Sequence, residues 1–501
     1  MEKYDICVIG GGPAGYAAAM RAIDLGQKTL IIEKDRVGGA GLYNGALSSK
    51  TLWEISQDVN PSRERTKKYS TCSDFQLDYK EVKRELDSAT KQRGDMLVDH
   101  LEALRGEGFS NLFFFRKGSA KLLSKHEVEI TSKNGQEVVY AENIILATGS
   151  SPRKLAHIPI DEKTIVTSDS IHDWEELPKS LVILGAGVIG CEYATIFSNF
   201  GVTDVYIIDK APRILPFEDE DVIDMVEENF EKNGITIHRK SQLVRMEIKD
   251  GLVEYELEKE DASREVHTVE KALVAVGRIP NTQNLGLENV GIELNARGAI
   301  EDNDTQTNVP NIYAIGDLTA DIALVNVGEL EGRHAVKKIM KKTTGLINYD
   351  NISSIMFLKP LVASVGMNEK QCRTKGVSYQ VVSIDYRGIA RAIAMRNPPG
   401  FFKILVSNDR EMKVLGMRAV GAQASSAIQG VALLIAQGNG IHELAELIHP
   451  HPSLIEGIQE CCRMLLGKSI LKPHVLKDIM KYKGYMNGEY SDMALDVAEK
   501  V

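Results

Sequence analysis

One local pattern occurs twice in the chain and constrains its fold more than any other feature. Each copy is an apolar strand, a Gly-x-Gly-x-x-Gly turn, a helix-forming run and a second strand that ends in an acid. The glycines are Gly10, Gly12 and Gly15 in the first copy and Gly185, Gly187 and Gly190 in the second. The first glycine allows a tight bend, the second lets a ligand approach the backbone, and the third lets the helix pack closely on the strand. The repetition predicts two parallel α/β units, each with an anion site at a helix N-terminus.

The acid at the end of each second strand indicates what the two turns bind. Glu33 and Asp209 are placed to accept hydrogen bonds from an adenosine ribose, as in dinucleotide-binding units. A carboxylate at Asp209 would repel the 2'-phosphate of NADP and therefore favours NAD. Lys210 and Arg213 follow closely and could partly offset that repulsion, which leaves NADP as the alternative. Two sites in one chain predict a tightly held flavin dinucleotide and an exchanging nicotinamide dinucleotide.

The composition limits the other possibilities. A chain of 501 residues is too long for one core and predicts three or four domains. A net charge of -10 argues against a nucleic-acid or anionic-membrane surface. No apolar run reaches the ~18 residues that a membrane span requires. Because a strand-like run begins at Tyr4, no signal or transit peptide is expected. The expected location is the cytoplasm, with an organelle lumen such as the mitochondrial matrix as the alternative.

The cysteines show neither a disulfide framework nor metal-ligand spacing, so reduced thiols and no metal site are expected. They are Cys7, Cys72, Cys191, Cys372, Cys461 and Cys462. The adjacent pair near the C-terminus is interpreted as two cysteines on a helix rather than as a redox-active dithiol, since about 40 residues follow it.

Further short motifs follow the two glycine turns in a fixed order. Thr148, Gly149 and Ser150 end one strand, Gly277 and Arg278 end another, and Asp317 ends a third. His451 and Glu456 lie near the C-terminus, where a carboxylate partner would fix the histidine tautomer and raise its basicity. The alternative for this pair is an ordinary proline-rich turn before a helix.

In this order and spacing, the motifs from residue 4 to about 470 resemble the pyridine nucleotide-disulfide oxidoreductases, and within them the dihydrolipoamide dehydrogenase and soluble transhydrogenase branch. The resemblance implies an α/β fold with two Rossmann-like domains, for FAD and NAD, and a C-terminal α+β dimerisation domain. The implied boundaries are 1–150 and 279–350 for the FAD-binding and central parts, 151–278 for NAD, 351–470 for dimerisation and 471–501 for a C-terminal extension. It also implies an obligate homodimer in which each active site takes its histidine from the other subunit.

The resemblance assigns roles to individual residues by position. The FAD ligands would be Gly10, Gly12, Gly15, Glu33, Lys34, Gly39, Lys50, Ala120, Thr148, Gly149, Ser150, Asp317 and Val325. The nicotinamide nucleotide would be bound by Gly185, Gly187, Gly190, Glu192, Asp209, Leu243, Gly277 and Arg278. Lys50 and Glu192 would orient the site where hydride arrives, and His451 with Glu456 would form the acid–base dyad of the family.

The chain departs from this family at the residues that carry its chemistry. The family has two redox-active cysteines five positions apart, and Gly41 and Ala46 occupy those positions here. Neither side chain can act as a nucleophile or form a disulfide, so His451 has no thiolate to serve.

The predicted function is therefore an FAD-dependent NADH oxidoreductase. Hydride would pass to FAD and then directly to a non-disulfide acceptor: a quinone, a dye, a metal ion, a second nicotinamide or oxygen. The alternatives are a non-catalytic subunit that binds FAD and NAD within a larger assembly, or a dihydrolipoamide dehydrogenase by descent only. For the extension after residue 470, the sequence leaves open partial disorder or a partner-binding appendage.

Overall fold

The computed structural model describes residues 1–69, 76–106, 108–319, 322–396 and 398–493. Cys72, one of the predicted thiols, lies outside the described residues, as does the end of the predicted extension, 494–501. The chain divides into two compact units. Unit 1 comprises Met1–Gly185, Asn199–Asp204 and Leu243–Ile347, and unit 2 comprises Ala186–Ser198, Val205–Gln242 and Asn348–Val501. The domain boundaries given above remain predictions.

Strands account for much of both units. In chain order they are β1 (Lys3–Ile9), β2 (Thr29–Glu33), β3 (Phe113–Lys117), β4 (Ser119–Leu122), β5 (Glu127–Ser132), β6 (Gly135–Leu146), β7 (Ser150–Pro152), β8 (Ile165–Thr167), β9 (Ser180–Leu184), β10 (Asp204–Ile208), β11 (Thr236–His238), β12 (Gln242–Lys249), β13 (Leu252–Glu258), β14 (Arg264–Val269), β15 (Lys271–Val274), β16 (Arg278–Pro280), β17 (Ile312–Ala314), β18 (Ser353–Met356), β19 (Val362–Gly366), β20 (Tyr379–Asp385), β21 (Phe401–Ser407), β22 (Val414–Val420), β23 (Met480–Met486) and β24 (Glu489–Asp492).

Helices connect and cover these strands. They are α1 (Pro13–Asp24), α2 (Gly39–Leu42), α3 (Ala46–Tyr69), α4 (Tyr79–Gly106), α5 (Val188–Phe200), α6 (Glu220–Lys232), α7 (Val325–Ile339), α8 (Glu369–Thr374), α9 (Ala390–Ala394), α10 (Ala424–Ala427), α11 (Gln429–Gln437), α12 (His442–Glu446) and α13 (Glu456–Leu465).

The main sheet of unit 1 has the order β3-β2-β1-β6-β5-β4, and β17 pairs with β6. The pairs β1–β2, β1–β6, β2–β3 and β6–β17 are parallel, so the carboxyl ends of these strands meet at one edge. This register places the Gly10 turn, Glu33, the Thr148–Ser150 loop and Asp317 at the same edge. A crevice outside the carboxyl ends of parallel strands is where α/β sheets bind ligands.

Both faces of this sheet are buried, which explains why its strands read as continuous apolar runs. On β1, Ile6 and Val8 belong to a core shared with the helices, whereas Cys7 and Ile9 belong to a second core on the opposite face. All four side chains are at most 3% exposed. Unit 1 also contains β9, β15 and β8 as a parallel set and β13 paired antiparallel with β14.

Unit 2 is built around an antiparallel sheet of order β18-β19-β22-β21-β20-β23-β24. The last two strands come from the predicted C-terminal extension, whose residues Met480–Asp492 form a hairpin on the edge of β20. Tyr482 is buried, and its hydroxyl hydrogen-bonds Gln380 on that strand. The described part of the extension is therefore an ordered addition to the sheet, and a partner-binding role for it remains a prediction.

A buried ion cluster joins the sheet of unit 2 to neighbouring loops and helices. The Lys403 side chain on β21 is 2% exposed, and its Nζ lies 2.8 Å from Asp219, 2.6 Å from Asp221 and 3.2 Å from Glu369. Burial opposes its charge, but the three carboxylates outweigh that effect and raise the pKa of Lys403. A lysine so enclosed keeps its charge, and in turn it helps to lower the pKa of Asp219 against the effect of burial.

Candidate functional site

The first glycine turn lies in unit 1 and leaves an open space, the cradle, beside the N-terminus of α1. Gly10 has a φ of +110°, and a Cβ there would collide with the carbonyl oxygen of Ala147; a Cβ on Gly15 would collide with the carbonyl oxygen of Gly10. A Cβ on Gly12 would meet no atom within 4 Å. Glycine is therefore required at two positions by the protein itself, while the third leaves space beside the N-terminus of α1 for a ligand.

Glu33 is held at this turn by two backbone amides. Its Oε2 accepts a hydrogen bond from Gly11 N at 2.7 Å, and its Oε1 accepts one from Asp35 N at 2.7 Å. The carboxylate is buried, whereas the adjacent Lys34 is exposed. Gly118 N donates to the Glu33 carbonyl at 2.9 Å, which brings the start of β4, with Ala120, next to the same strand end.

A polar network lies at the carboxyl end of β17 in the same unit. Ser150 Oγ donates to Asp317 Oδ2 at 2.6 Å, and Arg278 Nε donates to Ser150 Oγ at 2.8 Å. Arg278 also contacts Asp169 at 3.4 Å, where burial raises the carboxyl pKa against the lowering effect of the arginine. The structure thus places Arg278 beside two of the residues that sequence assigned to FAD.

Two residues that were not among the predicted cofactor ligands support these loops. Asn281 donates from Nδ2 to the Thr148 carbonyl at 2.9 Å and accepts from Thr148 Oγ1 at its own carbonyl, 2.8 Å away. Its N also donates to the Gly149 carbonyl at 2.9 Å. Glu331 accepts from Gly316 N at 2.7 Å and so supports the turn before Asp317. The sequence does contain a signal for Glu331, because it is the one charged residue among the small and apolar residues on the buried face of α7.

The segment without cysteines packs directly on the first turn. A Cβ on Gly39 would lie 3.3 Å from the Gly12 Cα. A Cβ on Gly41 would lie 2.5 Å from Pro13 Cγ and 3.7 Å from Val325 Cγ2. The Pro13 ring therefore lies where a side chain at position 41 would begin. A residue larger than glycine cannot be added there without displacing that ring.

The remaining predicted residues of unit 1 differ in burial and in local surroundings. Lys50 is half-buried on α3, and its Nζ donates to Ser49 Oγ at 3.3 Å. Val325 begins α7 with 42% of its surface exposed. Leu243 is half-buried on β12. Gly185 has a φ of +106°, with its Cβ position 2.5 Å from the Ala275 carbonyl oxygen. Gly277 has a φ of +102° and open space beside it.

Unit 2 repeats the arrangement of the first turn. Asp209 Oδ2 accepts from Ala186 N at 2.7 Å, and Asp209 Oδ1 accepts from Ala211 N at 2.8 Å, the same two bonds that Glu33 makes in unit 1. A Cβ on Gly187 would meet no atom within 4 Å, and Gly190 is buried in the first turn of α5. The turn and its acid are therefore preorganised in both copies.

Two further predicted groups lie in unit 2. Glu192 is 4% exposed on α5, and its Oε1 accepts from Phe357 N at 3.0 Å. His451 Nδ1 lies 2.8 Å from Glu456 Oε1, and Ser453 N donates to Glu456 Oε2 at 2.8 Å. Burial opposes ionisation of Glu456, but the Ser453 amide and His451 together lower its pKa. The predicted histidine–carboxylate pair therefore forms, with the histidine side chain 71% exposed.

The described cysteines are buried free thiols. Burial raises the pKa of Cys7 and Cys462 to about 12 and that of Cys372 to about 11, and it also raises the pKa of Cys191 and Cys461. Since the thiolate is the reactive form, none of these five is poised for exchange near neutral pH. The adjacent pair lies on α13 within the core of unit 2, as the sequence indicated.

Two kinds of feature are absent from the described residues. Within those ranges, no group of three or more His, Cys, Asp or Glu side chains is arranged to hold a metal ion. Over the same part of the chain, no helix has both the length and the apolar character needed to cross a membrane.

Two preorganised glycine turns, each with its acid, define a dinucleotide-binding α/β protein. The chain belongs to the pyridine nucleotide-disulphide oxidoreductase family: the family model matches residues 4–332, and the model of the family's dimerisation domain matches residues 352–462. The family consists of FAD-dependent NAD(P)H oxidoreductases. Membership confirms the predicted fold class and the predicted cofactors, FAD and NAD.

Individual relatives agree with this assignment. The dihydrolipoyl dehydrogenase of Chlamydia muridarum is 32% identical over 489 residues, which is 95% of this chain and 100% of that protein. The Bacillus subtilis dihydrolipoyl dehydrogenase is 31% identical over 477 residues, or 94% and 98% of the two chains.

Solved structures show the same fold. LpdA from Mycobacterium tuberculosis matches with a TM-score of 0.84 at 25% identity, covering 93% of this chain and 100% of that chain. The Cu(II) complex of the HOCl-induced flavoprotein disulfide reductase RclA from Escherichia coli matches with a TM-score of 0.81 at 26% identity, with coverages of 93% and 100%.

Proposed function

We propose that this protein is an NADH-dependent flavoenzyme that delivers electrons to a non-disulfide acceptor. FAD, when bound, would accept a hydride from the nicotinamide and supply two electrons to a quinone, a dye, a metal ion, a second nicotinamide or oxygen. The relatives are named for lipoyl and disulfide chemistry, which requires cysteines at the positions of Gly41 and Ala46.

The observation that carries the proposal is the packing at Gly41. Because a Cβ there would lie 2.5 Å from Pro13 Cγ, the family's first redox sulfur could be added only if the Pro13 ring moved. The described cysteines offer no replacement, since all five are buried and their thiol pKa values are raised. Hydride transfer between two dinucleotides needs neither sulfur, so this part of the chemistry is retained.

The fit of FAD to unit 1 rests on the open cradle at Gly12 and on the groups around it. Glu33 would accept hydrogen bonds from the adenosine ribose, because its two oxygens are already fixed by backbone amides. Asp317, oriented by Ser150, would bind the polyol chain. In unit 2, Gly187 and Asp209 would hold the nicotinamide nucleotide in the same manner. Lys50 and Glu192 would orient the reacting ring without breaking bonds themselves.

The direct test is anaerobic addition of NADH to the purified yellow protein. Loss of the flavin colour supports an enzyme that accepts electrons from NADH. Unchanged colour would instead support a non-catalytic subunit that binds FAD and NAD.

Restoring the two cysteines is not expected to restore disulfide chemistry. The Gly41→Cys/Ala46→Cys variant should lose about 1–3 kcal/mol of stability, the usual effect of overpacking. Thermal unfolding measures the loss of stability, and a lipoamide assay measures disulfide reductase activity. Ala46→Cys alone is the matched control, because position 46 already carries a Cβ, and it should unfold close to the wild type. A double variant that forms a disulfide and turns over lipoamide would show that the packing at Gly41 is not the obstacle.

We also expect a homodimer formed by residues 350–470, with His451 of one subunit facing the flavin of the other. The family's dimerisation domain covers residues 352–462, and in that range Leu433, Leu447 and Ile448 are 58%, 54% and 94% exposed. Apolar surface of this kind is typical of an interface. Light scattering at micromolar concentration should give twice the mass of the chain, and Ile448→Glu should shift the protein towards monomer.

The control for the dimer is Val475→Glu, which adds the same charge at an apolar residue that is 67% exposed and lies beyond the matched domain. That variant should stay dimeric. A monomeric wild type would contradict the expectation.

A further inference from the structure

A buried carboxylate in unit 2 binds two arginines near the predicted ribose ligand. The Glu227 side chain on α6 is 10% exposed. Its Oε2 lies 3.1 Å from Arg213 Nε and 3.1 Å from Arg239 Nη2. Its Oε1 accepts from Ile214 N at 3.2 Å, which fixes the carboxylate to the backbone beside Arg213. One buried anion thus holds two cations.

Both arginines lie on the backbone segments that flank Asp209. Ala211 N, two residues before Arg213, donates to Asp209 Oδ1 at 2.8 Å. The segment carrying Arg239 is bound to the same stretch, because Ser241 N donates to the Asp209 carbonyl at 3.1 Å. The two guanidinium groups therefore belong to the loops at the carboxyl ends of β10 and β11, where an adenosine ribose bound to Asp209 would lie.

Glu227 is the partner that the two arginines share. Arg213 also reaches Asp224 at 2.6 Å, and Arg239 reaches Glu231 at 3.0 Å, but these two acids are 59% and 60% exposed. Exposed pairs are screened by water and hold a side chain weakly. A buried carboxylate with a fixed orientation holds its partners more firmly, because leaving the carboxylate unpaired would be unfavourable.

We infer that Glu227 is a specificity-determining residue: by binding Arg213 and Arg239 it withholds both guanidinium groups from the 2'-phosphate of NADP. Arginine is the side chain suited to bind such a phosphate, and a chain with two arginines beside the ribose site would otherwise accept NADP. The repulsion by Asp209 and the sequestration by Glu227 act in the same direction, towards NAD. This inference rests on the proposed function, since it concerns the nucleotide that supplies the hydride.

The test is the dissociation constants of NADH and NADPH, measured separately by calorimetry on the FAD-loaded protein. In Glu227→Gln the charge that holds the arginines is gone, and the Kd of NADPH should fall about tenfold relative to that of NADH. Glu231→Gln is the matched control, because it removes an exposed partner of Arg239 from the same helix. In Glu231→Gln, the ratio of the NADPH and NADH dissociation constants should change by less than about twofold.

Adding Arg213→Ala and Arg239→Ala to Glu227→Gln should abolish the gain in NADPH affinity. That result would show that the released arginines cause the gain. An unchanged ratio in folded Glu227→Gln protein, or a gain that persists without the arginines, would overturn the inference. If Glu227→Gln does not fold, Arg213→Ala/Arg239→Ala in the otherwise native chain decides the matter. Sequestered arginines predict an unchanged NADPH affinity, and a loss greater than about threefold would refute the inference.

The outcomes separate this inference from the proposed function. If NADH removes the flavin colour but Glu227→Gln leaves the ratio unchanged, only the role of Glu227 fails. If the ratio changes as expected but NADH never removes the colour, the role of Glu227 stands and the proposed function fails.

Discussion

NADH is expected to bleach the flavin of the purified protein without producing a long-wavelength charge-transfer band, and lipoamide turnover is expected to be negligible. In a flavin disulfide reductase, that band arises from a thiolate beside the oxidised flavin, and the same thiols pass electrons to the substrate by exchange. Gly41 and Ala46 provide neither sulfur, and the described cysteines are buried. Turnover with lipoamide should therefore be negligible beside turnover with a quinone or dye, because loss of a catalytic nucleophile lowers the rate of the reaction it serves by about 10⁴-fold or more.

Anaerobic stopped-flow absorbance with NADH measures the first effect, and parallel steady-state assays with lipoamide, glutathione and a quinone measure the second. A Cys191→Ser variant is the informative control, because that thiol is the described cysteine that follows the second glycine turn. It should behave as the wild type. Appearance of the band, or rapid lipoamide turnover that Cys191→Ser abolishes, would show that a distant thiol replaces the missing pair.

Replacing Gly12 with valine is expected to remove FAD from a folded protein. The wild type should carry about one non-covalent FAD per subunit. Gly12 has φ -70° and ψ -179°, an extended conformation that a β-branched residue adopts readily. Because no protein atom lies within 4 Å of its Cβ position, a valine side chain would occupy the cradle rather than the core. We expect FAD to bind at least about 100-fold more weakly, since the pyrophosphate could no longer approach the amides.

Flavin released by acid precipitation, relative to protein, measures the occupancy of each variant. Gly106→Val is the matched control, since Gly106 ends α4 with equally open space and lies far along the chain from the turn. It should retain full flavin. Circular dichroism confirms that both variants are folded. Full occupancy in Gly12→Val protein would mean that the cradle does not hold the pyrophosphate.

The fold and much of the candidate site could be predicted because they are encoded in short contiguous segments. A Gly-x-Gly-x-x-Gly turn works through its own backbone angles, so Gly10 and Gly185 were recognisable without any knowledge of their surroundings. The carboxylates of Glu33 and Asp209 bind amides of their own turns, and a strand–turn–helix unit brings these groups together wherever it occurs. The pairing of His451 with Glu456 is likewise local.

The contacts that the sequence could not predict join segments far apart in the chain. Asn281 fixes a loop whose residues precede it by more than 130 positions, and Lys403 contacts carboxylates from two segments that are far apart in the chain. Neither contact produces a repeating pattern in the sequence, because a long-range ion pair or amide contact requires only that two side chains become adjacent in the folded chain. The hairpin Met480–Asp492 shows the same limit, since its alternation fits any free sheet edge and only the fold supplies β20.

The sequence by itself determined the family, the two dinucleotide turns and the loss of the redox cysteines, because each depends on residue identities within a few positions of one another. Only the tertiary structure decided what that loss means physically and how the arginines near Asp209 are used. At Gly41 the Pro13 ring occupies the space that a side chain would need, and at Glu227 a buried carboxylate binds two arginines from different loops. Both depend on packing between segments, where close contact excludes some side chains and burial strengthens the charge pairs that remain.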